Sequence, residues 1–113
     1  MQELEVKTYN FAIQGIGFVK SLEKNNPEIG YNELKSCAGA VSIKFIAAMD
    51  SKENDDFANN LRECHNNAIK ALERLKSLDE LKDENLEKQR IQLIKEADEI
   101  IEKLDKIIEK LIF

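Results

Sequence analysis

A chain of 113 residues with a formal net charge of −5 has room for one domain around one modest core, and its acidic balance argues against bulk binding of nucleic-acid phosphates, which rests on Lys and Arg. Charged residues make up 35% and hydrophobic ones 42%, with one proline, four glycines and no tryptophan; this is the composition of long amphipathic helices and leaves little room for a turn-rich β fold. The two cysteines, Cys37 and Cys64, both fall inside helical patterns, which is not the layout of a secreted disulfide framework.

The chain starts with Glu3 and Glu5 in its first turn, with no basic segment ahead of an apolar run, so no signal peptide is predicted. No apolar stretch approaches the ~20 residues a membrane span needs. The expected location is cytoplasmic.

The first helix is predicted over about residues 3–24. On a wheel of about 100° per residue, Tyr9, Ala12, Ile13, Ile16 and Val19 form one apolar stripe. Leu4, Phe11, Phe18 and Leu22 form a second, rotated well away from it. Gly15 lies between the two, where another backbone can approach closely. A helix of a monomeric bundle needs only one stripe, so two imply contact with something beyond its own bundle.

Pro27, with Asn25 and Asn26 before it, ends this helix. The second is predicted over residues 32–49 with Asn32 as its N-cap. Leu34, Cys37, Ala38, Val41, Phe45, Ala48 and Met49 lie on one side, Ile43 and Ile46 on the other. A helix apolar nearly all round is buried on most sides, and in so small a chain a partner subunit is expected to supply part of that burial. The surplus assigns Phe11, Gly15, Phe18, Leu22, Ile43 and Ile46 to an interface between copies of the chain.

Residues 50–53 form the next break, with Ser51 or Asn54 as a cap, and the third helix follows over residues 54–77. It turns Phe57, Leu61, Cys64, Ala68, Leu72 and Leu75 inward, and Asp55, Asn59, Arg62, Asn66, Lys70 and Glu73 outward. After a break at residues 78–83, the fourth helix is predicted over 84–112. There Leu86, Leu93, Ile100 and Ile107 recur every seven residues, interleaved with Ala97, Leu104 and Leu111, as a coiled-coil-like seam. Lys95 with Glu99, Glu99 with Lys103, and Glu102 with Lys106 are spaced as i,i+4 pairs. Short connections make neighbouring helices antiparallel, so the predicted fold is all-α: a single-domain, up-down-up-down four-helix bundle over residues 1–113.

Nothing in the chain spells out a reaction. His65, the one histidine, falls on the inward face of the third helix without an evident nucleophile or orienting carboxylate, and reads as a structural, hydrogen-bonded side chain. Cys37, Cys64 and His65 lack the short paired spacings of zinc sites, and a single histidine cannot complete the paired Glu-x-x-His pattern of a di-iron bundle. Gly15 and Gly17 follow no strand and precede no Lys-Ser/Thr, so they read as helix-packing positions rather than a phosphate loop. No catalytic residue, metal ligand or cofactor is therefore predicted. The densest basic stretch, Arg62, Lys70, Arg74, Lys76 and Lys82, is a weak candidate for a nucleic-acid face, without the interleaved aromatics that stack on bases.

The stretch Ala40-Val41-Ser42-Ile43-Lys44-Phe45-Ile46-Ala47-Ala48-Met49-Asp50 resembles a segment of the bacterial four-helix-bundle family of 23S rRNA intervening-sequence proteins, a group that includes the accessory variability proteins of diversity-generating retroelements. The opening Leu4-Glu5-Val6 with Ala12, and residues 51–57, are similar to the corresponding parts of that family. The resemblance implies a non-enzymatic bundle that assembles into a ring-like homo-oligomer, typically a pentamer. It also offers an alternative role as an accessory protein that binds nucleic acid or a reverse transcriptase. Where family members carry proline this chain has Lys44, and where they carry Glu-Gly it has Met49-Asp50. Basic residues common before the motif are replaced by Cys37 and Ala38, which weakens the nucleic-acid expectation.

Overall fold

The computed structural model describes residues 1–26 and 31–111. They form four helices: α1 (Gln2–Asn25), α2 (Asn32–Asp50), α3 (Asn54–Ser77) and α4 (Glu84–Glu109). Each helix packs only on its two neighbours, in the order α1, α2, α3, α4 around a square, with α4 closing back on α1. The cross-helix contacts run antiparallel throughout. Lys44 meets Glu63 near one end of the α2–α3 pair and Glu33 meets Arg74 near the other. The molecule is an up-down-up-down bundle about one helix long, 46 × 21 × 20 Å.

One stripe from each helix fills the centre. Phe11, Phe18 and Leu22 of α1 meet Val41 and Phe45 of α2, Leu61, Ala68 and Leu75 of α3, and Leu93, Ile100 and Leu104 of α4. These apolar side chains leave water almost completely, and that burial is the main force holding the helices together. Gly15 sets the spacing of one pair. A Cβ there would stand 2.9 Å from the Ala38 Cβ, so only glycine lets α1 lie this close to α2. Gly17 has no such role, since a Cβ at that position meets nothing within 4 Å.

The ends of the helices differ from expectation in small ways, each with a local cause. Asn32 is the first helical residue of α2 and Tyr31 the N-cap. Ser51 does not cap α3: its hydroxyl donates back to the Ala47 carbonyl at 2.7 Å and so closes α2, while Glu53 occupies the N-cap of α3. Asp83 is the side-chain cap at α4, accepting from the Leu86 N–H at 3.1 Å. α4 ends at Glu109 rather than continuing to residue 112, and Leu111 lies exposed in the turn that follows. Ile112 falls outside the described residues, as does Pro27 in the first break.

The acidic and basic side chains of α4 also choose partners that its own sequence does not suggest. Glu99 takes Lys7 of α1 at 2.9 Å rather than Lys95 or Lys103, and Lys103 takes Glu3 of α1 at 3.0 Å. Of the three spacings read as i,i+4 pairs, only Lys106 with Glu102 forms, at 3.7 Å. These pairs stitch α4 to α1 along the seam that closes the bundle. Lys103 holds the Glu3 carboxyl below its usual value, and Lys7 does the same for Glu99.

Candidate interaction surface

The second stripe of α1 is where the surplus apolar surface comes to rest. Phe11, Phe18 and Leu22, assigned by sequence to an interface between copies, are each only 1% exposed and belong to the bundle's own core. Gly15 is likewise used up inside the chain, against Ala38. These four assignments are corrected: a side chain already surrounded by its own bundle has no surface left for a partner. The other stripe is split between core and surface, its Ala12 and Val19 edge lying next to the buried stripe. Ala12 and Val19 are buried, Ile16 is half-buried, and Tyr9 and Ile13 stand 54% and 56% exposed.

Ile43 and Ile46 of α2 stand on the outer side of the helix, 65% and 48% exposed. They share a face with Tyr9 and Ile13. The Ile16 side chain reaches toward Gly39 across the helix pair, and α2 runs antiparallel to α1. Residues of α2 beyond Gly39 therefore lie level with residues of α1 before Ile16. Ile43 comes level with Ile13 and its neighbours, and Ile46 with Tyr9. Small side chains, Gly39, Ala40 and Ala47, lie between and beside them. Val6, also exposed, extends the patch toward the start of α1. Exposed apolar residues scattered singly are ordinary, but a contiguous group of this size marks a contact surface.

The side chains that could carry chemistry are held by their own bundle. His65 lies at the α3–α4 edge, with its Nε2 bonded to Asp105 Oδ1 at 2.5 Å. That contact ties two helices together, and no nucleophile accompanies it. The adjacent Cys64 thiol points the other way, into the core, and donates to the Val41 carbonyl at 3.2 Å. Burial pushes this thiol up to about 12, and burial also raises Cys37. Both therefore stay protonated and unreactive at neutral pH. Among the described residues no group of three or more His, Cys, Asp or Glu stands together to hold a metal ion. No helix among them is long and apolar enough to cross a membrane.

The basic residues do not gather into a stripe. Arg74 is tied to Glu33 at 2.5 Å. Arg62, Lys70 and Lys76 are exposed on α3 but alternate with Glu63 and Glu73, and Lys82 stands apart in the turn before α4. An open groove of about 430 Å³ runs between α1 and α4, floored by Phe18 and Leu93 beneath the gap at Gly17 and edged by Gln14, Gln89 and Gln92.

Periodicity alone does not separate the two stripes of α1, but their contents differ. The buried stripe of α1 is the one built on Leu4, Phe11 and Phe18 at intervals of seven, while the exposed stripe holds a tyrosine hydroxyl and is interrupted by Lys20. Compared with protein families, with curated proteins and with solved structures, the chain matches none.

Proposed function

We propose that this chain is a non-catalytic helical-bundle protein that works by self-association, as a scaffold or interaction module of the kind implied by the resemblance to 23S rRNA intervening-sequence proteins. The observation that carries the reading is the apolar face of Tyr9, Ile13, Ile43 and Ile46, each about half exposed or more on adjoining helices. These side chains offer several hundred Å² of apolar surface, at the upper end of what a monomer leaves in water. The bonded state of His65 and Cys64 and the burial of Cys37 fit a protein whose business is contact rather than chemistry.

The alternative, an accessory protein that binds nucleic acid or a reverse transcriptase, draws less support. Its candidate residues are interleaved with Glu63 and Glu73, and Arg74 is already paired.

Multi-angle light scattering of the purified chain tests the proposal. The expected result is a mass that is a multiple of the monomer's at micromolar concentration. A clean monomer across that range sinks it.

A further inference from the structure

The apolar face on α1 and α2 is bounded by charge at its two ends, and the two ends have opposite sign. Beyond Tyr9 and Ile46 stand Glu5 of α1 and Asp50 of α2; beyond Ile13 and Ile16 stand Lys20 and Lys24 of α1. All four are exposed, and among the described residues none of them takes part in an ion pair. This sets them apart from Glu3, Lys7, Glu23, Lys35 and Glu99, which are paired within the chain. The turn after Asp50 carries Lys52 beside Glu53, which leaves that end acidic on balance.

The charges are also evenly placed. Lys20 is seven residues after Ile13 and Glu5 eight before it, which at ~1.5 Å per residue sets them about 10 and about 12 Å to either side of the centre of the patch. Asp50 is seven residues beyond Ile43, again about 10 Å from the centre and on the Glu5 side.

From this placement we infer that the occupant of the face is a second copy of the chain, turned end for end, with a two-fold axis lying in the interface and crossing the helices near Ile13 and Ile43. The inference rests on the self-association proposed above and departs from the ring that the resemblance implies: the pairing it specifies is two-fold. A two-fold contact brings the same patch together from both subunits. With the axis across the helices, Lys20 meets Glu5 of the partner subunit, the apolar centres coincide, and the same pairing repeats on the other side of the axis. With the axis along the helices, acid meets acid and base meets base, and like charges juxtaposed across an interface select against that arrangement. A closed ring instead needs two different, mutually complementary faces, whereas this patch complements itself.

Charge reversal tests the symmetry. Sedimentation equilibrium on the full chain gives the mass and the Kd, and circular dichroism melts confirm that these exposed substitutions leave the fold intact. The expected result is a dimer whose Kd rises about tenfold or more in K20E/K24E, where exposed attractive pairs become repulsive on both sides of the axis. E5K/D50K weakens the dimer similarly, and the four-fold variant carrying both changes recovers it. High salt weakens the natural dimer and narrows these differences. A monomer at every concentration overturns this inference and the self-association proposal together. A ring-sized mass, or a dimer with an unchanged Kd in K20E/K24E, overturns the two-fold inference alone and leaves self-association standing.

Discussion

Arg90 grips Glu87 with two nitrogens, Nε to Oε1 and Nη2 to Oε2, both at 2.8 Å, and its Nη1 reaches the Leu75 carbonyl at 3.1 Å. Leu75 is in the last turn of α3, and the same Glu87 carboxylate accepts from the Leu81 N–H in the connecting turn at 3.2 Å. One bidentate pair thus fastens the end of α3, the turn and the first turns of α4, the geometry in which Arg outperforms Lys.

This clamp makes a pH prediction. Chiefly through its bonds to Arg90, and next through the Leu81 N–H, the Glu87 carboxyl is held from 4.5 down to about 2. A carboxyl with a depressed folded-state value stabilises the fold while it is ionised. Its contribution is complete above 4.5, the unfolded value, and is lost as pH falls from there toward about 2. Melts followed by circular dichroism will show Glu87→Gln less stable than the natural chain at neutral pH, with the gap closing across that window. Arg90→Met, which strands the carboxylate and frees the Leu75 carbonyl, should cost about 1–3 kcal/mol. A Glu87→Gln gap that is constant with pH contradicts the clamp.

The two glycines of α1 should respond to alanine with opposite signs. At Gly15 the added Cβ lies 2.9 Å from the Ala38 Cβ, and both atoms are fixed to backbone, so α1 and α2 must part. Gly15→Ala is expected to destabilise by about 1 kcal/mol or more, even after the gain in helix propensity. At Gly17 the space is open, and Gly17→Ala should stabilise by about 0.5–1 kcal/mol. Urea titrations of the two variants decide the matter, and equal effects would contradict the close approach.

Inside and outside on α1 separate in the same way. Phe18→Ala removes a core ring and should cost about 3–5 kcal/mol. Ile13→Lys combined with Ile43→Lys touches only the exposed face and should leave the melting free energy within about 0.5 kcal/mol of the monomer's own value, while abolishing any assembly seen by light scattering. Retained assembly in that double variant would move the contact to another face.

Thiol reagents should find little to react with in the native state. Cys64 is pushed up to about 12 by burial and its thiol is bonded to Val41, and Cys37 is also raised. The expected course is slow modification in buffer, Cys37 ahead of Cys64, and complete modification in denaturant. Reaction of both within the mixing time would show that α2 and α3 open readily.

How much of this was legible depended on whether a helix had one apolar stripe or two. α3 and α4 each have one, and their inward residues could be named from spacing alone; Leu61, Cys64, Ala68 and Leu75, and then Leu86, Leu93, Ala97, Ile100 and Leu104, are buried as the periodicity implies. α1 has two stripes of similar hydrophobicity, and periodicity cannot say which of them faces in. That choice is made by the larger rings of Phe11 and Phe18 filling the centre of the bundle, and by Gly15 docking on Ala38, both of which depend on the neighbouring helix. The ion pairs escaped for the same reason: Glu99 has lysines four residues away in either direction, yet the register of α4 on α1 hands it to Lys7. Ile43 and Ile46 were legible as an outer face because α2 already had a full inner one.

Because the helices contact only their neighbours around a square, α3 and α4 form the side opposite the apolar face. Any assembly through α1 and α2 leaves that side on the outside of the particle. Asn66 and Lys70, exposed on α3, are thus natural attachment points: a fluorophore or affinity handle placed there rides on the exterior and can count subunits without disturbing how they join.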